Sequence, residues 1–143
     1  MTIKEDTLRR FLEAQDTVMK QVSAELRAGR KTSHWMWFVF PQLRALGRST
    51  TAQHFGLAGR DEALAYWRHP VLGARLAQCC ELILALPEGS TAVDVFGSTD
   101  AMKLRSSMTL FAAADPEAGC FAAVLQKFFG GERDPLTTAL LAA

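Results

Sequence analysis

The sequence predicts an all-α domain, and three observations predict it. Apolar residues recur at three- and four-residue steps near the N-terminus, and helix starts with recognisable caps punctuate the rest of the chain. One β-like segment, Trp35 to Pro41, finds no second strand signal to pair with. The expectation is a single compact domain over residues 1–143. It has six to eight helices, a buried aromatic segment at 33–42, no disulfide and at most a trivial amount of strand. With 143 residues, 49% of them hydrophobic and 22% charged, the chain suits one core and not a disordered polymer.

Leu8, Phe11, Leu12, Gln15, Val18, Met19, Val22 and Leu26 fall on one helical stripe, which predicts a long amphipathic helix over 5–28. Arg9, Arg10, Glu13, Asp16, Lys20 and Glu25 fall mainly on its opposite face, and Gly29 ends it. The string SHWMWFVFP reads as a buried extended segment or irregular helical turn. Its aromatics are too large and too close together to be left in water. If the segment is extended, His34 and Met36 point away from the buried face. Pro41 opens a short turn that Gly47 closes, and Ser49 or Thr50 can cap 51–58. Asp61 can cap the helix that follows, and Pro70 opens the next, which Pro87-Glu88-Gly89 ends. His69 reads as a capping or packing residue. Thr91 can cap a short helix closed by Gly97, and Thr99 can cap 100–114. Asp115-Pro116 and Asp134-Pro135 each read as a cap followed by proline at the first helical position.

Net charge is +1, which gives no strong nucleic-acid signal, and no apolar run approaches the ~20 residues of a membrane span. The N-terminal MTIKEDTLRRF lacks the apolar core of a signal peptide, so a cytoplasmic location is expected. Cys79, Cys80 and Cys120 read as buried free thiols in a reducing compartment. Charge is nonetheless uneven. From Leu26 to Arg60 there is no Asp or Glu, while Arg27, Arg30, Lys31, Arg44, Arg48 and Arg60 all lie there. That concentration makes a local positive field, suited to an anionic ligand or to acids from elsewhere in the fold.

Two constellations could carry chemistry. His34 lies between a polar turn and an aromatic wall, an environment able to move its pKa either way. In the second, Asp100, Lys103, Ser106 and Ser107 share a helix face and could hydrogen-bond a ribose or phosphate. The same spacing equally makes an ordinary Asp100–Lys103 pair and serines bonding back to helix carbonyls. The histidines at 34, 54 and 69 lack metal-ligand spacing, so no metal site and no cofactor are expected.

Several strings then carry a resemblance: Arg10-Phe11 with Ala14-Gln15, and above all the run from Gly29 through SHWMWFVFPQ to Gln42. His69-Pro70-Val-Leu72-Gly73-Ala-Arg75-Leu76, Phe96-Gly97, Asp100 to Phe111 and Gly131-Glu-Arg-Asp134-Pro-Leu-Thr137 complete it. Over nearly its whole length the chain resembles the bacterial family called domain of unknown function 1810, some of whose members are mislabelled calpastatin, an inhibitor whose disordered composition this chain lacks. The family looks mainly α-helical. The resemblance implies no activity, but it marks polar positions: Lys31, Ser33, His34, Gln42, His69, Arg75, Asp100, Lys103, Ser106, Ser107 and Thr109.

Two functions follow as expectations. In the first, a polar pocket binds a phosphorylated or nucleotide-like small molecule. Lys31, Arg75 and Lys103 neutralise phosphate, Trp35 or Trp37 stacks, and Ser33, Gln42, Ser106, Ser107 and Thr109 supply hydrogen bonds. If the pocket is catalytic, the reaction is hydrolytic, with His34 or Asp100 as general base. His34, Arg75, Lys103, Ser106 and Ser107 then converge on one cleft. In the second, the domain is a non-catalytic protein-interaction module with a structural polar network, and its positive region docks an acidic partner.

Overall fold

The computed structural model describes residues 5–143. The reading of the N-terminus as leaderless rests partly on residues 1–4, which lie outside the described residues. A 3-10 turn (Glu5–Leu8) leads into α1 (Arg9–Asp16), followed by α2 (Met19–Ala28) and α3 (Met36–Val39). A second 3-10 turn (Arg44–Leu46) precedes α4 (Thr50–His54), α5 (Arg60–Arg68) and α6 (Leu72–Leu84). The chain ends in α7 (Ala92–Phe96), α8 (Ser98–Ala114), α9 (Cys120–Phe129) and α10 (Pro135–Ala142). The described residues form no strand, only an isolated bridge between Leu43 and Leu57. The described residues are all-α as expected, but they form ten α-helices in place of six to eight.

Part of the excess comes from the N-terminal helix, which is two helices. The apolar stripe is continuous, yet α1 packs on α3 and α2 packs on α6, so the chain must turn between two partners. It does so at the β-branched pair Thr17-Val18, where helix propensity is weak. Gly29 ends α2 as expected, at φ 75°, with the Arg30 N–H reaching back to the Glu25 carbonyl.

The segment at 33–42 is the floor of the core. Trp35, Met36, Val39 and Phe40 are each no more than 2% exposed, and Trp35, Phe40 and Phe96 pack ring to ring. It coils into the single turn α3, so Met36 is buried instead of pointing away; His34 is exposed, and Ser33, Trp37 and Gln42 are half-buried.

Helix α8 is the axis. It is packed by α5, α7, α9 and α10, and every residue from Ser106 to Ala112 is buried. That stretch, covered on all sides, has no polar face to read from sequence, whereas the first turns of α8 keep Asp100, Lys103 and Arg105 half-buried and Met102 exposed. The α5–α6 corner is equally tight: a Cβ on Gly73 would run into the Trp67 carbonyl oxygen.

Ser49, Thr91 and Asp134 cap their helices as expected, accepting from Ala52, Asp94 and Thr137 N–H groups. His69 caps α6, its Nδ1 accepting from Val71 and Leu72 N–H. Asp61, Thr99 and Asp115 do not cap. α5 and α8 start earlier, at Arg60 and Ser98, and Asp115 is turned to Trp67 Nε1 and the Glu117 N–H, which delays α9 to Cys120. Cys79 and Cys80 are buried, Cys120 is half-buried, and all three are free thiols.

Candidate functional site

The polar residues singled out by sequence fall into three groups by their partners, not into one cleft. The first is organised by Glu25, which lies on the buried side of α2 and not on its exposed face. Its carboxylate accepts from Thr32 N–H (2.7 Å), Ser33 N–H (3.0 Å), Ser33 Oγ (2.7 Å), Trp35 Nε1 (3.0 Å) and Gln21 Nε2 (3.0 Å). Burial pushes the carboxyl up, but the Ser33 hydroxyl and the N–H donors outweigh it and hold it down at about 2. The turn so fixed directs Lys31 onto Asp100 at 2.8 Å, with a further bond to the Ser33 carbonyl at 2.6 Å. Lys103 also lies 3.7 Å from Asp100, and the two ammoniums stand over the Trp35 and Trp37 rings at 5.0 and 4.9 Å. Thus Lys31, Trp35, Trp37, Asp100 and Lys103 do assemble. Gln42 joins Trp37 and Lys103 along a crevice of only about 10 Å³, room for roughly one water. His34 is exposed beside this group.

Arg75 belongs to the second group. It donates to Gln15 Oε1 (3.4 Å) and pairs with Asp16 (2.9 Å). The buried Gln15 amide donates to the Phe38 carbonyl (2.6 Å) and to the Tyr66 hydroxyl (2.8 Å). This network joins α1, α3, α5 and α6.

Ser106 and Thr109 belong to the third group, at the start of α10. Ser106 Oγ lies 3.1 Å from Asp134 Oδ2 and 3.2 Å from the Met102 carbonyl. Thr109 Oγ1 accepts from the Asp134 N–H (2.9 Å) and donates to the Arg105 carbonyl (2.7 Å). Asp134 in turn receives the Thr137 N–H and hydroxyl. Ser107 is fully buried, its Oγ without a hydrogen-bond partner among the described residues.

A much wider open space lies elsewhere. Arg44, Arg48, Ser49, Thr50, Gln53 and His54 line a groove of about 550 Å³ between the second 3-10 turn and α4. Its floor is braced from below: Arg10 donates to the carbonyls of His54 (2.8 Å) and Gly56 (3.1 Å) and pairs with Glu62 (3.2 Å). Ser49 and Gln53 are taken up locally, by the α4 cap and by the Gly47 carbonyl. Arg44 and Arg48 make no ion pair among the described residues, and no carboxylate lines the groove. In the sequence these arginines stand out only as part of a positive stretch. Their spacing of four, in a region empty of acids, was the available signal.

The chain matches no curated protein. Among solved structures it is similar to the conserved hypothetical protein Rv1873 from Mycobacterium tuberculosis, at 49% identity and a TM-score of 0.92, over 95% of this chain and 96% of that one. The model of the family described as "Protein of unknown function (DUF1810)" matches residues 5–141. The near-complete match and the shared fold agree: the chain belongs to the DUF1810 family.

Proposed function

We propose that the domain is a non-catalytic interaction module that docks an acidic partner in the Arg44–His54 groove. One observation carries the reading: the groove is open, about 550 Å³ in volume, and lined by two arginines and a histidine with no carboxylate among them. Such a surface attracts anions and speeds their association. The small-molecule reading has less support. A ligand pocket needs roughly 300 Å³ or more, and the crevice at Trp37, Gln42 and Lys103 holds about 10 Å³. Ser106, Thr109 and Arg75 are engaged in joints between helices. Hydrolysis through His34 or Asp100 is likewise weakly supported, because Asp100 is held by two ammoniums and His34 is exposed.

The test is fluorescence anisotropy with a labelled polyglutamate peptide. Binding is expected to weaken as salt rises from about 50 to about 200 mM. Arg44→Glu with Arg48→Glu is expected to weaken it about tenfold or more, and Lys103→Ala to leave it unchanged. A nucleotide or sugar phosphate that raises the melting temperature of the wild type, but not of Lys103→Ala, would overturn the reading in favour of a small-molecule site.

A further inference from the structure

Helix α10 is fixed with more polar machinery than its length requires. Asp134 caps it, Ser106 and Thr109 of α8 hold Asp134 by side chain and backbone, and Arg105 donates to the carbonyls of Glu132 (3.1 Å) and Arg133 (2.8 Å) just ahead of it. The face so positioned is apolar and points outward. Leu136 is 65% exposed and Leu140 is 42% exposed, one turn apart on the same side. With Leu46, Ala45, Ala139 and Arg48 they line a second groove of about 470 Å³.

Arg48 lines both grooves, so the cationic and the apolar surfaces form one continuous strip. A partner that covers the strip must satisfy both halves. Nucleic acid would satisfy the arginines and leave the leucines wet. An uncharged apolar segment would do the reverse, burying Arg48 without a counter-charge, which is unfavourable.

We infer that the strip is a docking site for an acidic amphipathic polypeptide segment, whose apolar side chains enter the Leu46–Leu136–Leu140 groove while its carboxylates meet Arg44, Arg48 and His54. This rests on the reading of the cationic groove given above, and it names the partner's chemistry. Recognition would take the helix-in-groove form, with anchors one turn apart and charge setting the register.

The experiment is a selection of random peptides displayed on phage against the full chain, followed by affinity measurement of the enriched peptides. Enriched sequences are expected to combine Asp or Glu with large apolar residues at helical spacing. Leu136→Glu and Leu140→Glu are each expected to weaken them tenfold or more, as is Arg48→Glu. Both leucines are exposed, so unchanged melting temperatures will show the variants folded.

Enriched peptides without acids, enriched peptides insensitive to both leucine substitutions, or no enrichment at all would overturn the inference. So would a dimer of the wild type that Leu136→Glu dissociates, which makes a second copy the occupant, or leucine-dependent capture by phosphatidylserine vesicles. The two readings fail separately. If polyglutamate or duplex DNA binds through Arg44 and Arg48 with no dependence on Leu136 or Leu140, the inference falls and the cationic groove stands. If binding ignores the arginines as well, both fall.

Discussion

Glu25 accounts for why the residues around His34 look like a site without forming an open one. A carboxylate 7% exposed would be costly to bury, yet five donors converge on it and fix the turn from Thr32 to Trp35. Its sequence signal was misleading, because a glutamate near the end of an amphipathic helix ordinarily faces water. Four of the five donors reach it only because the chain returns after Gly29; the fifth, Gln21, lies one turn back on α2 itself. The depressed value makes a pH prediction. With a folded value of about 2 against 4.5 in its absence, the carboxylate stabilises the fold above pH 4.5, and that contribution is lost as pH falls from 4.5 towards 2. After allowance for screening at the loop rim it is worth about 2 kcal/mol. Glu25→Gln should therefore lower stability in urea at pH 7, and its deficit should shrink as the pH drops below 4.5. A deficit independent of pH would contradict this account of the turn. Cys80 and Cys120 supply a second residue-scale prediction. Burial pushes Cys79 up to about 12, and Cys80 is pushed up by its hydrogen bond to Cys120 and by burial. The same hydrogen bond lowers half-buried Cys120. Ellman's reagent should label Cys120 alone in the native protein and the other two thiols only on unfolding. Labelling of all three without denaturant would refute that.

Among the elements, α10 shows what a cap does when it is also a joint. Asp134 satisfies the first turn of its own helix and receives the Ser106 hydroxyl from α8. Asp134→Ala removes both, so a loss of about 2–3 kcal/mol is expected, with faster amide hydrogen exchange confined largely to α10. Unchanged exchange there would show that packing alone seats the helix. This joint was half legible: Asp134-Pro135 announced the helix start, but nothing in sequence linked it to Ser106 and Thr109 twenty-five or more residues earlier. The same limit explains the other element-scale differences. Helix type followed from spacing and caps, because both act within a few residues. The break at Thr17-Val18 and the delayed start of α9 follow from tertiary partners, α3 and α6 in one case and Trp67 in the other. The spacing puts Ser106 and Ser107 on a polar face with Asp100 and Lys103, but α8 is buried on every side from Ser106 to Ala112, and only its first turns carry a partly exposed polar face.

At the scale of the whole molecule, a net charge of +1 conceals an uneven surface. Acids from α8 and α5 neutralise Lys31 and Arg10, and Glu25 of α2 is spent on the N–H groups of the 32–35 turn, whereas Arg44 and Arg48 make no ion pair among the described residues beside the apolar face of α10. The positive field was legible in sequence; which cations would be neutralised depended on the packing of distant helices. We propose that binding occurs on the arginine and leucine strip, while the Lys31–Asp100–Lys103 group serves the fold. A two-dimensional ¹⁵N–¹H spectrum of the labelled protein, titrated with an acidic amphipathic peptide and in parallel with a nucleotide, tests it most directly. Peptide-induced shifts are expected to concentrate at 44–54 and 136–140, with the amides of 31–37 and 100–103 unmoved by either ligand. Shifts at 31–37 and 100–103 on adding nucleotide, with the groove silent, would contradict it.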